Sequence, residues 1–476
     1  MSIKRFFASA DATIANSYKI DGYSTTTKSN IGAASSLELY SLYGSHASAS
    51  VESSRILMKF PISDISSSRA TGLLPNSGSI NFFLRIYNVE HPFSLPEKYF
   101  LQIAPLKQDW EEGYGVDLDT YIDPGVSGSF GTGVTWDQTG KNTYWEIPGG
   151  KFDSSSYNYS YYINKGDQDI ELDITSLIES QIAGNTPNYG IIIKLSGSYE
   201  DGTQLRSYYT KRFSARETNF FYSKPNIEAR WDDSLGDNRS GYKTFLPGML
   251  PSEANNTIYF YNKPLGYLSN LSTAYGALNV KLYADAEGTQ EVIPSYLSYT
   301  NPSQGIYKAV FRTTASFPNL YDRWYEGGGS GVIFYKGVLT ASTVSTRDDI
   351  SYNEEQVLNI TNLKPTYKQN ETCMIKVFTR KKNWQPNIYS VASNNIENVA
   401  NTNLYYRLFR LVDNYEVVPY GTGSIPYTKS SYDKNGNYFN LDMSIFEPGY
   451  AYGIKFGLIE GAVIREFKES FRFKVE

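Results

Sequence analysis

The chain is poor in the residues on which covalent stapling and most enzyme chemistry depend. Its 476 residues include one cysteine, Cys373, and two histidines, His46 and His91. One thiol forms no disulfide within the chain, and a Cys/His zinc site lacks its ligands. Ser-His-Asp and Cys-His nucleophile systems would have to run through His46 or His91, and neither sits in a recognisable motif. Carboxylate-pair catalysis is the common enzyme chemistry that remains. Basic charge is not in surplus either: 44 Lys and Arg stand against 49 Asp and Glu, a net charge of -5. Such a balance gives nothing to neutralise a phosphate backbone, so a dedicated nucleic-acid binder is not expected. Long apolar runs are missing too. Residues 190–195 are among the longest, strand-sized and too short to span a bilayer. Residues 1–8 lack the apolar segment of a signal peptide, so the expectation is a soluble product made in a cytoplasm, without membrane insertion.

What the chain has in quantity is aromatic side chains, 15% of the residues, with 42 Tyr and 25 Phe, punctuated by 38 Gly and 20 Pro. Aromatic and β-branched residues pack well on pleated surfaces. Ile80, Phe82, Leu84 and Ile86 alternate with period two, as do Ile56, Met58 and Phe60, and residues 191–195 read as a central buried strand. Ile174, Leu177, Ile178 and Ile182 break that rhythm with helical spacing behind Asp173, and Gly184 suits the stop. Further strands are expected at 257–261, 280–283, 307–311, 332–335 and 374–378, a hairpin over 406–418 turning at Asp413-Asn414, and a closing strand at 471–475. Short strands with frequent turn signals argue for sandwiches. The fold class expected is all-β: a jelly-roll-like β-sandwich with one short helix over residues 1–232, then two smaller immunoglobulin-like β-sandwiches over 233–345 and 350–476. Residues 342–349 read as a linker.

Several constellations carry candidate chemistry. Trp110, Trp136 and Trp145 suit either a sugar-stacking platform or a core, and the burial habit of tryptophan favours the core. Tyr157, Tyr159 and Tyr161, with Tyr162 beside them, suit a protein interface, a glycan contact or a half-buried strand. Asp117, Asp119 and Asp123 offer oxygen ligands to calcium, against the reading of a solvated turn. Asp433-Lys434-Asn435-Gly436 starts like a calcium loop but places its glycine early and reads as a turn. Glu111 and Glu112, beside Trp110, are the best candidates for a glycosidase-like acid, yet adjacent strand residues face opposite ways and cannot flank one bond. No cofactor site and no catalytic residue is expected.

The series Phe7-Ala8-Ser9-Ala10-Asp11-Ala12-Thr13-Ile14, Ser54-Arg55-Ile56-Leu57-Met58-Lys59-Phe60, Trp110-Glu111-Glu112-Gly113, Thr135-Trp136, Trp145, Gly149-Gly150, Asp173-Ile174-Thr175 and Phe213-Ser214-Ala215-Arg216-Glu217 resembles the DNRLRE-type domain. Members of that family are β-sandwiches related to carbohydrate-binding modules of bacterial surface and secreted proteins. The likeness covers residues 1–232. Blocks at 225–234, 256–262, 418–423, 437–444 and 449–456 resemble virion structural proteins of large marine tailed phages. That resemblance implies a non-enzymatic particle component of the tail, neck or fibre region, made in the host cytoplasm and located in the virion. Its partners would be other virion proteins and further copies of itself. The alternative is a carbohydrate-binding adhesin that contacts host surface glycans; a polysaccharide hydrolase is a third reading.

Overall fold

The structure, a computed structural model, describes residues 2–18, 25–44, 50–90, 97–116, 133–201, 203, 208–271, 278–327, 331–342, 355–382, 384, 398–460 and 463–476. The protein is all-β, with its strands gathered into stacked sheets. It divides into two compact units, Ser2–Trp231 and Asp232–Glu476.

In the first unit a four-stranded antiparallel sheet orders Ile3–Phe7, Asn226–Trp231, Ile80–Ile86 and Ile170–Asp173. A seven-stranded sheet orders Tyr208–Ser214, Ser36–Gly44, Ser50–Lys59, Ile191–Leu195, Tyr99–Pro105 and Tyr159–Ile163, with Ala10–Asn16 paired to Ser50–Lys59. The period-two run does what alternation requires: Ile80, Phe82, Leu84 and Ile86 enter one core with Ile56, Met58, Leu101, Ile103, Ile191 and Ile193. Ile192 and Leu57 point the other way, into a second core. The central strands of the seven-stranded sheet are therefore buried on both faces, which explains why Ile191–Leu195 is apolar at every position but Lys194, whose ammonium pairs with Glu200.

Among the described residues the first unit has two α-helices where the sequence led us to expect one. α2, Thr175–Ile182, lies at the expected spacing; Asp173 Oδ1 accepts the Thr175 N–H at 2.9 Å, and Gly184 ends the run at φ +76°. The unforeseen α1, Ile62–Ala70, follows Pro61 and buries Ile62, Ile65 and Ser68. Its serines give it almost no apolar face, so tertiary burial rather than sequence periodicity selects the helix. Arg69 on α1 clamps Glu179 on α2 through two bonds of 2.8 and 2.6 Å.

Among the described residues the second unit carries two pairs of sheets. Asn256–Tyr261, Ile306–Arg312 and Tyr296–Ser303 face Glu291–Val292, Asn279–Tyr283, Asn319–Tyr325 and Ile333–Thr340 across a core containing Trp324, Phe260 and Phe311. Gln356–Ile360, Thr372–Lys381, Gly436–Asp442 and Ser431–Asp433 form one further sheet. The other orders Thr366–Tyr367, Phe471–Val475, Ala451–Glu460, Leu404–Arg410 and Glu416–Val418, with Val463–Glu466 paired to Ala451–Glu460. Between these two sheets the Tyr406 and Phe439 rings stack at 4.0 Å. The expected hairpin forms from Leu404–Arg410 and Glu416–Val418, and Asn414 takes a positive φ of 56° in its turn. Asp433 to Gly436 is a hairpin turn, with Asp433 Oδ1 accepting the Asn435 N–H at 2.7 Å.

Candidate functional site

The three tryptophans singled out from sequence are core residues. Trp110, Trp136 and Trp145 sit in loops that cover the outer face of the seven-stranded sheet and pack with Ala12, Ile14, Leu57, Ala104 and Ile192. Trp110 Nε1 donates to Tyr189 O at 2.9 Å and Trp145 Nε1 to Thr135 O at 3.0 Å, so their polar edges are satisfied inside. The Arg55 guanidinium lies 4.9 Å from the Trp136 ring centre and bonds Glu200. Gly149 adopts φ +84° where a side chain would collide with Trp136.

Tyr159 and Tyr161 lie on the edge strand Tyr159–Ile163, on the face shared with buried Ile163, and Tyr157 precedes that strand. All three are half-buried against the first core. The Tyr159 hydroxyl meets Ser176 Oγ at 3.1 Å, and the Tyr161 hydroxyl donates to Asp169 O at 3.2 Å. Tyr157 lines a surface hollow with Ser176, Glu179 and Asn185. Tyr162 faces the other way, its ring 4.8 Å from that of Phe100. Asp117, Asp119 and Asp123 lie outside the described residues, as do His46, His91 and most of the 342–349 stretch. Among the described residues no group of three or more His, Cys, Asp or Glu is arranged to hold a metal ion. Cys373 is half-buried in strand Thr372–Lys381, and burial pushes its thiol up to about 11.

Glu112 is committed to structure. It pairs with Arg216 at 2.8 Å, and its Oε1 accepts the Asp11 N–H at 2.8 Å. Asp11 beside it is 1% exposed; burial raises its carboxyl to about 7, against the Arg216 N–H it accepts at 2.6 Å. On the outer face of the four-stranded sheet, Glu228 is enclosed by guanidiniums. Arg5 Nε lies 2.7 Å away and Arg230 Nη2 2.6 Å away, and both Arg230 and Arg85 reach Glu171 as well. Burial opposes the Glu228 charge, yet the three arginines hold its carboxyl down to about 2. In the second unit, Arg239 is buried between Asp237 and Asp322, and Asp322 Oδ2 accepts the Trp324 indole N–H at 2.7 Å.

Two surfaces that the sequence did not single out stand open in the second unit. A cleft of 310 Å³ is lined by Tyr261, Lys263, Met374, Lys376, Asp433 and Tyr438 among others. The hydroxyls of Tyr261 and Tyr438 meet at 3.2 Å, and Lys263 Nζ lies 5.8 Å from the Tyr261 ring centre. The second is a set of loops carrying exposed apolar side chains: Leu246, Leu250, Ile293 and Phe317 are 54%, 63%, 85% and 37% exposed. Main-chain bonds from Phe245 to Thr313 and from Ser295 to Arg312 bring their loops together.

No family model matches this chain, and no curated protein matches it. Among solved structures, it is similar to the Yersinia pseudotuberculosis adhesin InvE at TM-score 0.16 and 10% identity, over 50% of this chain and 56% of that one. It is also similar to Salmonella alpha-2-macroglobulin reacted with methylamine at TM-score 0.15 and 9% identity, over 99% of this chain and 26% of that one. A biofilm associated protein BSP domain matches at TM-score 0.14 and 9% identity, over 93% and 81%. The chain thus spans little more than half of the first and a quarter of the second. TM-scores this low carry no functional assignment.

Proposed function

We propose that the chain is a non-enzymatic structural component of a tailed-phage virion, in its tail, neck or fibre region, working by protein–protein assembly. The residue blocks that resemble virion proteins support the particle. The observation that carries the assembly is that set of loops in the second unit, on which Leu246, Leu250, Ile293 and Phe317 stand exposed. Contiguous exposed apolar side chains mark contact surfaces, and burying them against a neighbouring copy or another virion protein would drive association. Quantitative mass spectrometry of density-purified particles tests the particle: fixed stoichiometry after a salt wash supports it, and absence from particles overturns it. The double variant Leu250→Asp with Ile293→Asp tests the surface, and it is expected to leave the chain folded but missing from particles.

A second reading, a glycan-binding adhesin, is favoured by the Tyr261–Tyr438 cleft. Aromatic faces, two lysines and Asp433 around a 310 Å³ hollow suit a sugar that carries a carboxylate. Retention of the chain on immobilised host polysaccharide, lost in Tyr261→Ala, would support this reading over the first.

A further inference from the structure

Lys211, in strand Tyr208–Ser214, is 1% exposed, and its Nζ lies 5.1 Å from the centre of the Phe213 ring. A lysine is seldom buried this far without a carboxylate partner. Here Nζ instead reaches three oxygens: Asn88 Oδ1 at 2.5 Å, Gly166 O at 2.8 Å and Gln168 O at 2.9 Å. Burial lowers its pKa to about 8, with the more distant charges of Asp169 and Asp167 opposing the shift, so a neutral amine is accessible near neutral pH. Asn88 is pinned against the same strand. Val89 N–H donates to Arg212 O at 2.9 Å, Ser214 N–H donates to Tyr87 O at 2.9 Å, and Asn88 pairs with Phe213. Asp169 Oδ1 accepts the Asn88 main-chain N–H at 2.7 Å.

The geometry points to an intramolecular isopeptide bond between Lys211 Nζ and Asn88 Cγ. As an ammonium, Nζ donates to Asn88 Oδ1, Gly166 O and Gln168 O; once neutral, its two hydrogens stay on Gly166 O and Gln168 O, and a turn of the Asn88 carboxamide about Cβ–Cγ takes Oδ1 out of the lone pair's path and brings Cγ into it. Attack forms the Nζ–Cγ bond; the proton shed by Nζ passes to the departing amide nitrogen; the Cγ–Nδ2 bond breaks and ammonia leaves. The step needs no oxidant or cofactor, and pre-positioning of amine and carboxamide supplies the acceleration. Asp169 acts as a positioning residue, because it holds the Asn88 main chain. The product would tie the segment after Ile80–Ile86 of one sheet to Tyr208–Ser214 of the other, joining residues 123 apart.

Intact mass spectrometry of the full chain tests this, before and after incubation at mildly alkaline pH. The expected mass is that of the sequence less one ammonia, with a branched peptide joining Asn88 to Lys211 after digestion. Lys211→Arg and Asn88→Ala should each restore the mass their sequence dictates, and Asp169→Ala should slow formation about tenfold. A ring closed between Asn88 and Val89 would lose ammonia as well, but it would persist in Lys211→Arg and give no branched peptide; that result overturns the proposal. So does a full sequence mass after alkaline incubation, which would leave Lys211 as an ammonium held by three oxygens.

Discussion

Gly337 sits opposite Asp322 on the neighbouring strand, and a side chain at Gly337 would enter the space filled by the Arg239 guanidinium and the Asp322 carboxylate. The glycine is thus fixed by an ion pair it does not join. Strand Ile333–Thr340 keeps it because the adjacent strand carries a charge into the interior.

Gly337→Ala is expected to destabilise the second unit by about 3 kcal/mol, the scale on which a buried pair is broken. Urea unfolding followed at the Trp324 environment measures it. Gly423→Ala, with nothing close to the new methyl, is the control and should stay within about 0.5 kcal/mol of the parent.

Glu228→Gln leaves Arg5, Arg85 and Arg230 crowded around a neutral group on one sheet face. The expected loss is about 3–5 kcal/mol. Hydrogen exchange in Asn226–Trp231 and Ile80–Ile86 should report it first.

The pH response of the first unit has two limbs. Glu228, held at about 2 against an ordinary 4.5, contributes stability that is complete above 4.5 and lost as pH falls through about 2. Asp11, raised to about 7 against an ordinary 3.8, binds its proton more tightly when folded, so stability declines as pH rises from about 4 through 7. The unit should therefore be most stable near pH 4–5 and lose roughly 10 °C in Tm by pH 8. Asp11→Asn should flatten the alkaline limb and leave the acid limb in place.

Replacing Lys263 and Lys376 together by alanine removes both positive charges from the Tyr261–Tyr438 cleft. If the chain holds an acidic glycan there, retention on immobilised polyuronate should weaken about tenfold, while a neutral glucan is unaffected. Equal weakening on both would rule out recognition through charge.

The sheets were legible wherever one side chain in two is apolar. Ile80–Ile86 and Phe471–Val475 announce their buried faces directly. α2 was legible because four isoleucines and leucines repeat at helical spacing, whereas α1 offers mostly serines and is helical only because Ile62 and Ile65 are drawn into the core. The burial of Trp110, Trp136 and Trp145 followed from residue type, but the second core they build did not. It requires knowing that Ile192 and Leu57 face away from their neighbours' core. The Arg5–Glu228–Arg230–Glu171–Arg85 network was invisible in sequence, since strand register alone aligns residues from four separate segments. The cleft at Tyr261 and Tyr438 was hidden for the same reason: neither tyrosine is unusual among 42.

The tryptophan-bearing loops over the seven-stranded sheet impose an order of assembly. They have nothing to pack on until Ala10–Asn16, Ser50–Lys59, Ile191–Leu195 and Tyr99–Pro105 lie side by side, because Ile14, Leu57, Ile192 and Ala104 together make their floor. The strands do not depend on the loops in the same way, since their other face closes against the four-stranded sheet. Refolding should therefore show two clocks: backbone amides of the central strands become protected first, and the indole emission of Trp110, Trp136 and Trp145 shifts to the blue afterwards.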